Sequence, residues 1–394
     1  MVNDIFTFLA GGKAGEGAKK TGSVAAQLFN SKGRYAFQMI DYMSLIRGGH
    51  NFSVVSTATR WISSHYMKAD LIVCLDKRTY DTHINHLAKG GIIVYNSDIG
   101  GDMEGIGIPL TSEAKKYPIP RLMLGVGGVA ILAASIGFDK EEMNSIIAEE
   151  YPSGKEDNVA YASTIYDIAF RKLDVKFQLN NGDKKRPKIS GNQAISLGAI
   201  AGGLDIYYGY PMTPASSILH FMASQADKFG LTVVHPENEI AVINMAIGST
   251  FAGAKAIVGS SGGGFALMEE GFSLAGMVEA PILCVLSMRS GPATGVPTYT
   301  EQGDLNFALN AGHGEFPRII ASPGSIEEAY FLTAEMLALV WKFQTPGIIV
   351  TEKHLSENEM TVDIDIEKTS WTAPKIHKGG EYKRYRNTED GISP

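Results

Sequence analysis

Short apolar runs alternate with stretches of helical periodicity from residue 5 to about residue 173, and the alternation starts afresh after a polar interval. Residues 5–10 read as a buried strand, 11–17 as a glycine-rich loop, and the following residues to about 29 as a helix. Further strands are predicted at 35–40, 52–56, 71–75 and 91–95, with helices near 77–87, 125–136 and 140–150. Such alternation predicts a mostly parallel sheet covered by helices. Residues 174–189 break the pattern with Asn180-Asn181-Gly182-Asp183 and a run of Lys and Arg, the composition of a linker. A second unit then runs over 190–362, with strands predicted at 205–210, 231–235, 254–259, 281–288, 318–321 and 347–351. From 363 to 394 apolar periodicity is lost, which predicts an extended tail. The fold class expected is therefore α/β, with two doubly wound domains at 1–173 and 190–362.

Composition narrows the function classes. The 394 residues carry 35 basic and 42 acidic side chains, a formal net charge of −7 that gives no general attraction to nucleic acid or anionic membrane. No apolar run approaches the roughly 20 residues of a membrane span, and the N-terminal run has no basic region or cleavage signal, so a cytoplasmic protein is expected. The two cysteines, Cys74 and Cys284, lie inside apolar strand patterns and are expected to be core residues. No metal site is predicted on this chain, and an iron–sulfur cluster, which takes about four thiolates, would have to sit on another one.

Candidate chemistry gathers where strands of the second unit end. Tyr210-Pro211-Met212-Thr213-Pro214-Ala215-Ser216 closes an apolar run with two prolines, which fix φ and remove two N–H donors and so present Thr213 on a stiff turn. The plainer alternative makes Thr213 the N-cap of a helix with Pro214 in its first turn. Glu239 follows the next strand in His235-Pro236-Glu237-Asn238-Glu239, where an acidic residue also suits a helix start. Ser260-Ser261-Gly262-Gly263-Gly264 permits either a tight turn or a close approach of a ligand to backbone N–H groups. Arg289 precedes a loop rich in Gly and Pro that reaches Thr298, a setting suited to binding a carboxylate. In a parallel sheet these loops open on one edge.

The first unit offers weaker motifs. Gly12, Lys13, Gly15 and Gly17 lie between a strand and a helix as a possible phosphate loop, but the spacing is not that of a dinucleotide fingerprint, although Asp41 resembles its acidic ribose ligand. Arg47, two glycines and His50 form a second candidate, although a histidine in such a place is more often structural than catalytic.

These segments resemble the α subunit of 2-oxoacid:ferredoxin oxidoreductases with a γ domain fused at the N-terminus. Residues 210–216 are similar to the family's Y-P-I-T-P-S-S signature, with Met212 and Ala215 as departures, and 297–305 and 260–265 resemble further family segments, Gly263 standing where a proline is more usual. The resemblance implies a γ-like domain at 1–173, a linker at 174–189 and a pyrimidine-type thiamine diphosphate domain at 190–362. It implies CoA-dependent oxidative decarboxylation of a 2-oxoacid, 2-oxoglutarate or a broader range, with electrons delivered to ferredoxin. Glu239 would hydrogen-bond the aminopyrimidine, with Glu237 two residues away as the rival assignment; Thr213, Arg289 and Thr298 would orient the substrate. Pro211, Ser260, Ser261 and Gly262 would line the cofactor, and Gly12, Lys13, Gly15, Gly17 and Arg47 would contact coenzyme A or its phosphates.

No G-D-G segment is present for binding the magnesium diphosphate, so the resemblance places Mg and the iron–sulfur cluster on a β subunit. The family's usual C-terminal α domain has no counterpart after 394, which implies either a separate chain or a truncated one, and the heteromer could itself dimerise. Two other readings compete: a non-catalytic assembly or regulatory paralogue, and a nucleotide-linked oxidoreductase using the N-terminal glycines.

Overall fold

The computed structural model of the protein describes residues 4–43 and 49–394. The chain forms two compact units, Met1–Lys188 with Glu359–Val362, and Ile189–Asn358 with Asp363–Pro394.

The first unit begins with β1 (Phe6–Lys13), α1 (Ala18–Ser31), β2 (Tyr35–Tyr42) and β3 (His50–Ala58), followed by β4 (Ala69–Cys74), α2 (Lys77–His83), β5 (Leu87–Asn96) and β6 (Ile106–Ile108). Four helices close it: α3 (Leu110–Ala114), α4 (Pro120–Ser135), α5 (Lys140–Glu150) and α6 (Lys155–Leu173). Its strands lie in the order β6-β5-β4-β1-β3-β2, and Glu359–Thr361 adds beyond β2. Pairing is parallel from β1 through β4 and β5 to β6, but antiparallel from β1 to β3, β3 to β2 and β2 to the late strand. The expectation of a mostly parallel sheet thus holds for one half only. Residues 43–49 are too few for the crossover of about a dozen residues that parallel neighbours need, so β2 and β3 pair antiparallel.

The core of this unit sits under α4, whose residues Met123 to Ser135 are all buried. Glycine lets α4 approach α1: a Cβ at Gly125 would stand 2.6 Å from the Thr21 hydroxyl, which instead donates to the Gly125 carbonyl at 2.9 Å. The polar segment after α6 is packed as well. Phe177 stacks edge-on against Phe6 at 5.0 Å, the Arg34 guanidinium donates to the Asn180 carbonyl at 2.6 Å, and that of Arg186 lies 3.6 Å from the Tyr35 ring centre. Cation–π contacts and hydrogen bonds to carbonyls fix a stretch that hydropathy marks as solvent-borne.

After β7 (Lys188–Ser190) the second unit runs α7 (Gly191–Ala201), β8 (Ile206–Gly209), α8 (Ser216–Phe229), β9 (Thr232–Val234), α9 (Glu239–Phe251), β10 (Ala256–Ser260) and α10 (Gly262–Met277). It continues with β11 (Leu283–Met288), α11 (Leu305–Leu309), β12 (Ile319–Ala321), α12 (Ile326–Phe343), β13 (Gly347–Glu352) and α13 (Lys353–Glu357). The sheet order is β12-β13-β11-β10-β8-β9 and every pair is parallel. Register aligns the strand ends: Gly209 opposes Gly259, Ser260 opposes Leu286, and Met288 opposes Glu352. Loops after β8, β10, β11 and β13 therefore leave from one edge of the sheet.

Helix starts are specified locally. Ser190 and Gln193 form a capping box on α7, and Asn238 caps α9 by accepting from the Ala241 N–H at 3.0 Å. The C-terminal residues pack on this unit, where the Arg384 side chain donates to the carbonyls of Val278 and Glu279, and the Tyr385 hydroxyl to that of Met277. These satisfy acceptors at the end of α10 that a helix leaves unpaired. None of the described helices is long and apolar enough to cross a membrane.

Candidate active site

Thr213 lies on the turn between β8 and α8, and is half-buried. It does not cap the helix: α8 starts at Ser216, Ala215 occupies the N-cap position without a side-chain bond, and the Thr213–Pro214 peptide is cis. The turn is instead held from outside. The Asn192 amide on α7 donates to the Pro214 carbonyl and the Ser217 hydroxyl, each at 2.8 Å, and the Arg289 guanidinium donates to the Thr213 carbonyl at 2.7 Å. Loops after β8 and β11 are thereby tied together, as the shared strand edge requires. Pro211 is exposed beside them.

Glu239 and Glu237 separate cleanly. Glu237 is exposed ahead of the helix, whereas Glu239 is the first residue of α9 and only 3% exposed. Its Oε1 atom is buried without a hydrogen-bond partner. The carboxylate lies against the start of α10: a Cβ at Gly264 would stand 2.6 Å from Glu239 Oε1 and 2.1 Å from the Ser260 hydroxyl. That position must be glycine for steric reasons, whereas a Cβ at Gly263 would meet nothing closer than 3.9 Å. Ser260 is 2% exposed and Ser261 fully buried, with the Ser261 hydroxyl also lacking a partner. Leaving a buried acceptor unpaired costs about 1–3 kcal/mol, so two orphaned groups beside an open glycine turn mark a place where a ligand brings the missing partners.

Arg289 directly follows β11 on the same sheet edge. Burial lowers the pKa of its half-buried guanidinium, and Asp304 opposes that shift. The loop it opens folds back on itself: the Ser290 hydroxyl and the Gly291 N–H donate to Glu301 at 2.8 and 3.3 Å, and the Ser290 N–H to the Tyr299 carbonyl at 3.1 Å. Thr298 is half-buried within this loop. Asp304, at its far end, reaches the other side of the α10 turn, where a Cβ at Gly262 would stand 2.5 Å from its Oδ2. Burial pushes the Asp304 carboxyl up, Glu301 adds to the shift and Arg289 opposes it. Thr213, Glu239, Ser260, Ser261, Gly262, Arg289 and Thr298 all belong to strand-end loops or helix starts of this one edge. Sequence reasoning missed Asn192, Asp304 and Glu352, because their contacts join positions with no common spacing in the chain.

In the first unit Gly12 and Lys13 are strand residues rather than loop, opposing Asn51 and His50 on β3. The loop proper holds Gly15 and Gly17, at φ 90° and 88°, and Gly17 caps α1. Lys13, Gly15, Gly17, Lys19 and Lys20 line a cavity of about 430 Å³. The Lys13 N–H donates to Glu16 Oε2 at 2.8 Å, and burial pushes the Glu16 carboxyl up. Arg47 lies outside the described residues. Asp41 is on β2, which is separated from β1 by the antiparallel strand β3 rather than lying directly beside it, so it is not placed as the acidic residue of a dinucleotide fold. His50 is buried and its Nε2 meets that of His83 at 2.8 Å, while His83 Nδ1 meets His86 Nδ1 at 3.1 Å. Cys74 and Cys284 are both free and buried, and burial raises the pKa of each thiol. Among the described residues no group of His, Cys, Asp and Glu is arranged to hold a metal ion.

Comparison with known proteins matches both units. Residues 197–393 match the family described as "Pyruvate flavodoxin/ferredoxin oxidoreductase, thiamine diP-bdg", and residues 7–168 match "Pyruvate ferredoxin/flavodoxin oxidoreductase". The 2-oxoacid:ferredoxin oxidoreductase subunit alpha of a Sulfolobus species is 29% identical over an alignment covering 98% of this chain and 71% of the relative. A 2-oxoglutarate synthase subunit KorA of Archaeoglobus fulgidus is 40% identical over 52% of this chain and 61% of its own length. Among solved structures, the 2-oxoglutarate:ferredoxin oxidoreductase of Magnetococcus marinus with 2-oxoglutarate, coenzyme A and succinyl-CoA bound superposes with a TM-score of 0.90 at 27% identity, over 100% of this chain and 71% of that one.

Proposed function

This chain belongs to the pyruvate flavodoxin/ferredoxin oxidoreductase family, and on that premise we propose that it is the α-type subunit of a 2-oxoacid:ferredoxin oxidoreductase. The reaction is the CoA-dependent oxidative decarboxylation of a 2-oxoacid, 2-oxoglutarate or a broader range, with the electrons passed to ferredoxin. The observation that carries this reading is the buried, unpartnered Glu239 carboxylate at the start of α9. A group that accepts nothing from the protein is suited to accept from a ring nitrogen of a bound cofactor.

Thiamine diphosphate, when bound, supplies a nucleophilic carbon and an electron sink for decarboxylation. Glu239 would hold its aminopyrimidine by a hydrogen bond at Oε1, with Pro211, Ser260, Ser261 and Gly262 lining the same cleft. Arg289 would neutralise the 2-oxoacid carboxylate while its bond to the Thr213 carbonyl fixes the guanidinium. Thr213 and Thr298 would orient the substrate by their hydroxyls. Burial of Glu239, Ser260 and Ser261 excludes water from the reacting side. In the first unit, read as a γ-like domain, Gly12, Lys13, Gly15, Gly17 and Arg47 would contact coenzyme A; the lysine-rich cavity at the start of α1 supports this.

A β subunit would provide the Mg-diphosphate ligands and the iron–sulfur cluster, since two buried thiols do not make a four-thiolate set. Exposed apolar side chains support a covering chain: Ile240 and Met245 on α9, and Leu267, Leu274 and Met277 on α10, the last 69% exposed. Ferredoxin would receive the electrons. A cytoplasmic location is proposed with this chemistry. The test is Arg289→Ala in the assembled enzyme: the KM for the 2-oxoacid should rise at least about tenfold through lost carboxylate pairing, with that for coenzyme A unchanged. A shift confined to coenzyme A would reassign the loop.

A further inference from the structure

The loop that carries Arg289 and Thr298 makes a side-chain hydrogen bond to the neighbouring strand at Thr300. The Thr300 hydroxyl donates to Glu352 Oε2, and Glu352 is the last residue of β13, in register with Met288, the residue before Arg289. Glu352 is 9% exposed, and its carboxylate also accepts from the backbone N–H of His354 at 2.6 Å and of Leu355 at 2.8 Å. One carboxylate thus serves three donors: two at the start of α13 and one on the loop.

Capping alone does not explain the residue. Helix N-caps favour the short side chains of Ser, Thr, Asp and Asn, and any of these would serve the N–H groups of α13. The additional methylene of glutamate is what lets one carboxylate serve the cap and Thr300 together. Arg289 ties the start of the loop to the Thr213 carbonyl; past it, the loop bonds to itself, with Ser290 and Gly291 donating to Glu301, and the Val296 N–H to the Ser290 carbonyl. Those internal bonds preserve the loop's own shape, and the bond of Thr300 to Glu352 is what ties its far side, next to Thr298, to the sheet.

We propose that Glu352 is a positioning residue for the 2-oxoacid, holding Thr300 and thereby setting where the Thr298 hydroxyl stands relative to the Arg289 guanidinium. The inference rests on the reading of Arg289 and Thr298 as substrate-orienting groups. Glu352 sits at the junction of a buried strand and a helix, where its own position is determined by the sheet, so it gives the Thr298–Thr300 side of the loop a fixed reference point, as the Thr213 carbonyl does for Arg289.

The test is a double-mutant cycle in the assembled enzyme, with Glu352→Asp, Thr300→Val and the pair. Glu352→Asp keeps a good N-cap but shortens the reach to Thr300, and Thr300→Val removes the loop's hydroxyl while leaving the cap intact. Each single variant should raise the 2-oxoacid KM about five- to tenfold, with the KM for coenzyme A and the melting temperature unchanged. The double variant should be no worse than either single one, because both remove the same bond. Additive effects, an equal shift in the coenzyme A KM, or a loss of melting temperature that accounts for the kinetic change would each overturn the proposal. Arg289→Ala separates the two levels of argument. If it raises the 2-oxoacid KM while the cycle is silent, only the role of Glu352 fails; if it has no effect, the assignment of the loop to substrate fails first.

Discussion

Replacing Glu239 by glutamine should make the protein more stable and the enzyme slower. Glu239 Oε1 is buried and unpartnered in the chain without its cofactor, a state that costs about 1–3 kcal/mol. A neutral amide is cheaper to bury than a carboxylate. Against this stands the favourable interaction of an acidic side chain with the first turn of α9, worth about 0.3–1 kcal/mol. The balance favours Glu239→Gln by about 1 kcal/mol, or about 2–4 °C in melting temperature for a unit of this size. Turnover should move the other way, falling about tenfold to a hundredfold, because the amide cannot support proton movement on the pyrimidine as the carboxylate does. The assays are thermal unfolding of the purified chain and 2-oxoacid-dependent viologen reduction by the assembled enzyme. A variant that melts lower and turns over normally would refute both the electrostatic argument and the catalytic assignment.

Two further outcomes follow from the geometry. Gly264→Ala places a Cβ against the Ser260 hydroxyl and Glu239 Oε1; overpacking of about 1–3 kcal/mol should exceed the gain of up to about 1 kcal/mol from helix propensity, so the melting temperature and thiamine diphosphate affinity should both fall. In the first unit, burial with His50 and His86 pushes His83 from its ordinary 6.5 down to about 4, against the opposing pull of Asp76. The folded protein then binds fewer protons than the unfolded chain between those values, so stability is full above 6.5 and is lost as the pH falls toward 4. Urea midpoints measured from pH 7.5 to 4.5 should show this slope, and His83→Gln should flatten it; an unchanged slope would remove His83 as its source.

The second unit was legible because its strands and helices alternate with room for a crossover between them, which fixes parallel pairing and brings the loops after β8, β10 and β11 to one edge. Thr213 and Arg289 were identifiable as candidates from proline and glycine around them, but their joining through the Thr213 carbonyl was not, since a backbone acceptor has no sequence signature. The ambiguity between Glu237 and Glu239 is one of burial, which depends on α10 packing across Glu239. Asn192, Asp304 and Glu352 were invisible for the same reason: each gains its role from an element that arrives from elsewhere in the chain. The antiparallel half of the first sheet had a readable signal in the short interval between β2 and β3, which the apolar pattern of the strands alone does not convey. The family resemblance of the strand-end segments is borne out by the matches to both units.

The most direct measurement is affinity isolation of this chain from its native host, followed by viologen reduction with thiamine diphosphate, coenzyme A and a panel of 2-oxoacids. The account predicts co-isolation of a cysteine-rich β-type subunit and reduction that requires both a 2-oxoacid and thiamine diphosphate. A chain that remains alone, and stays inactive when a competent β subunit is supplied, would contradict it.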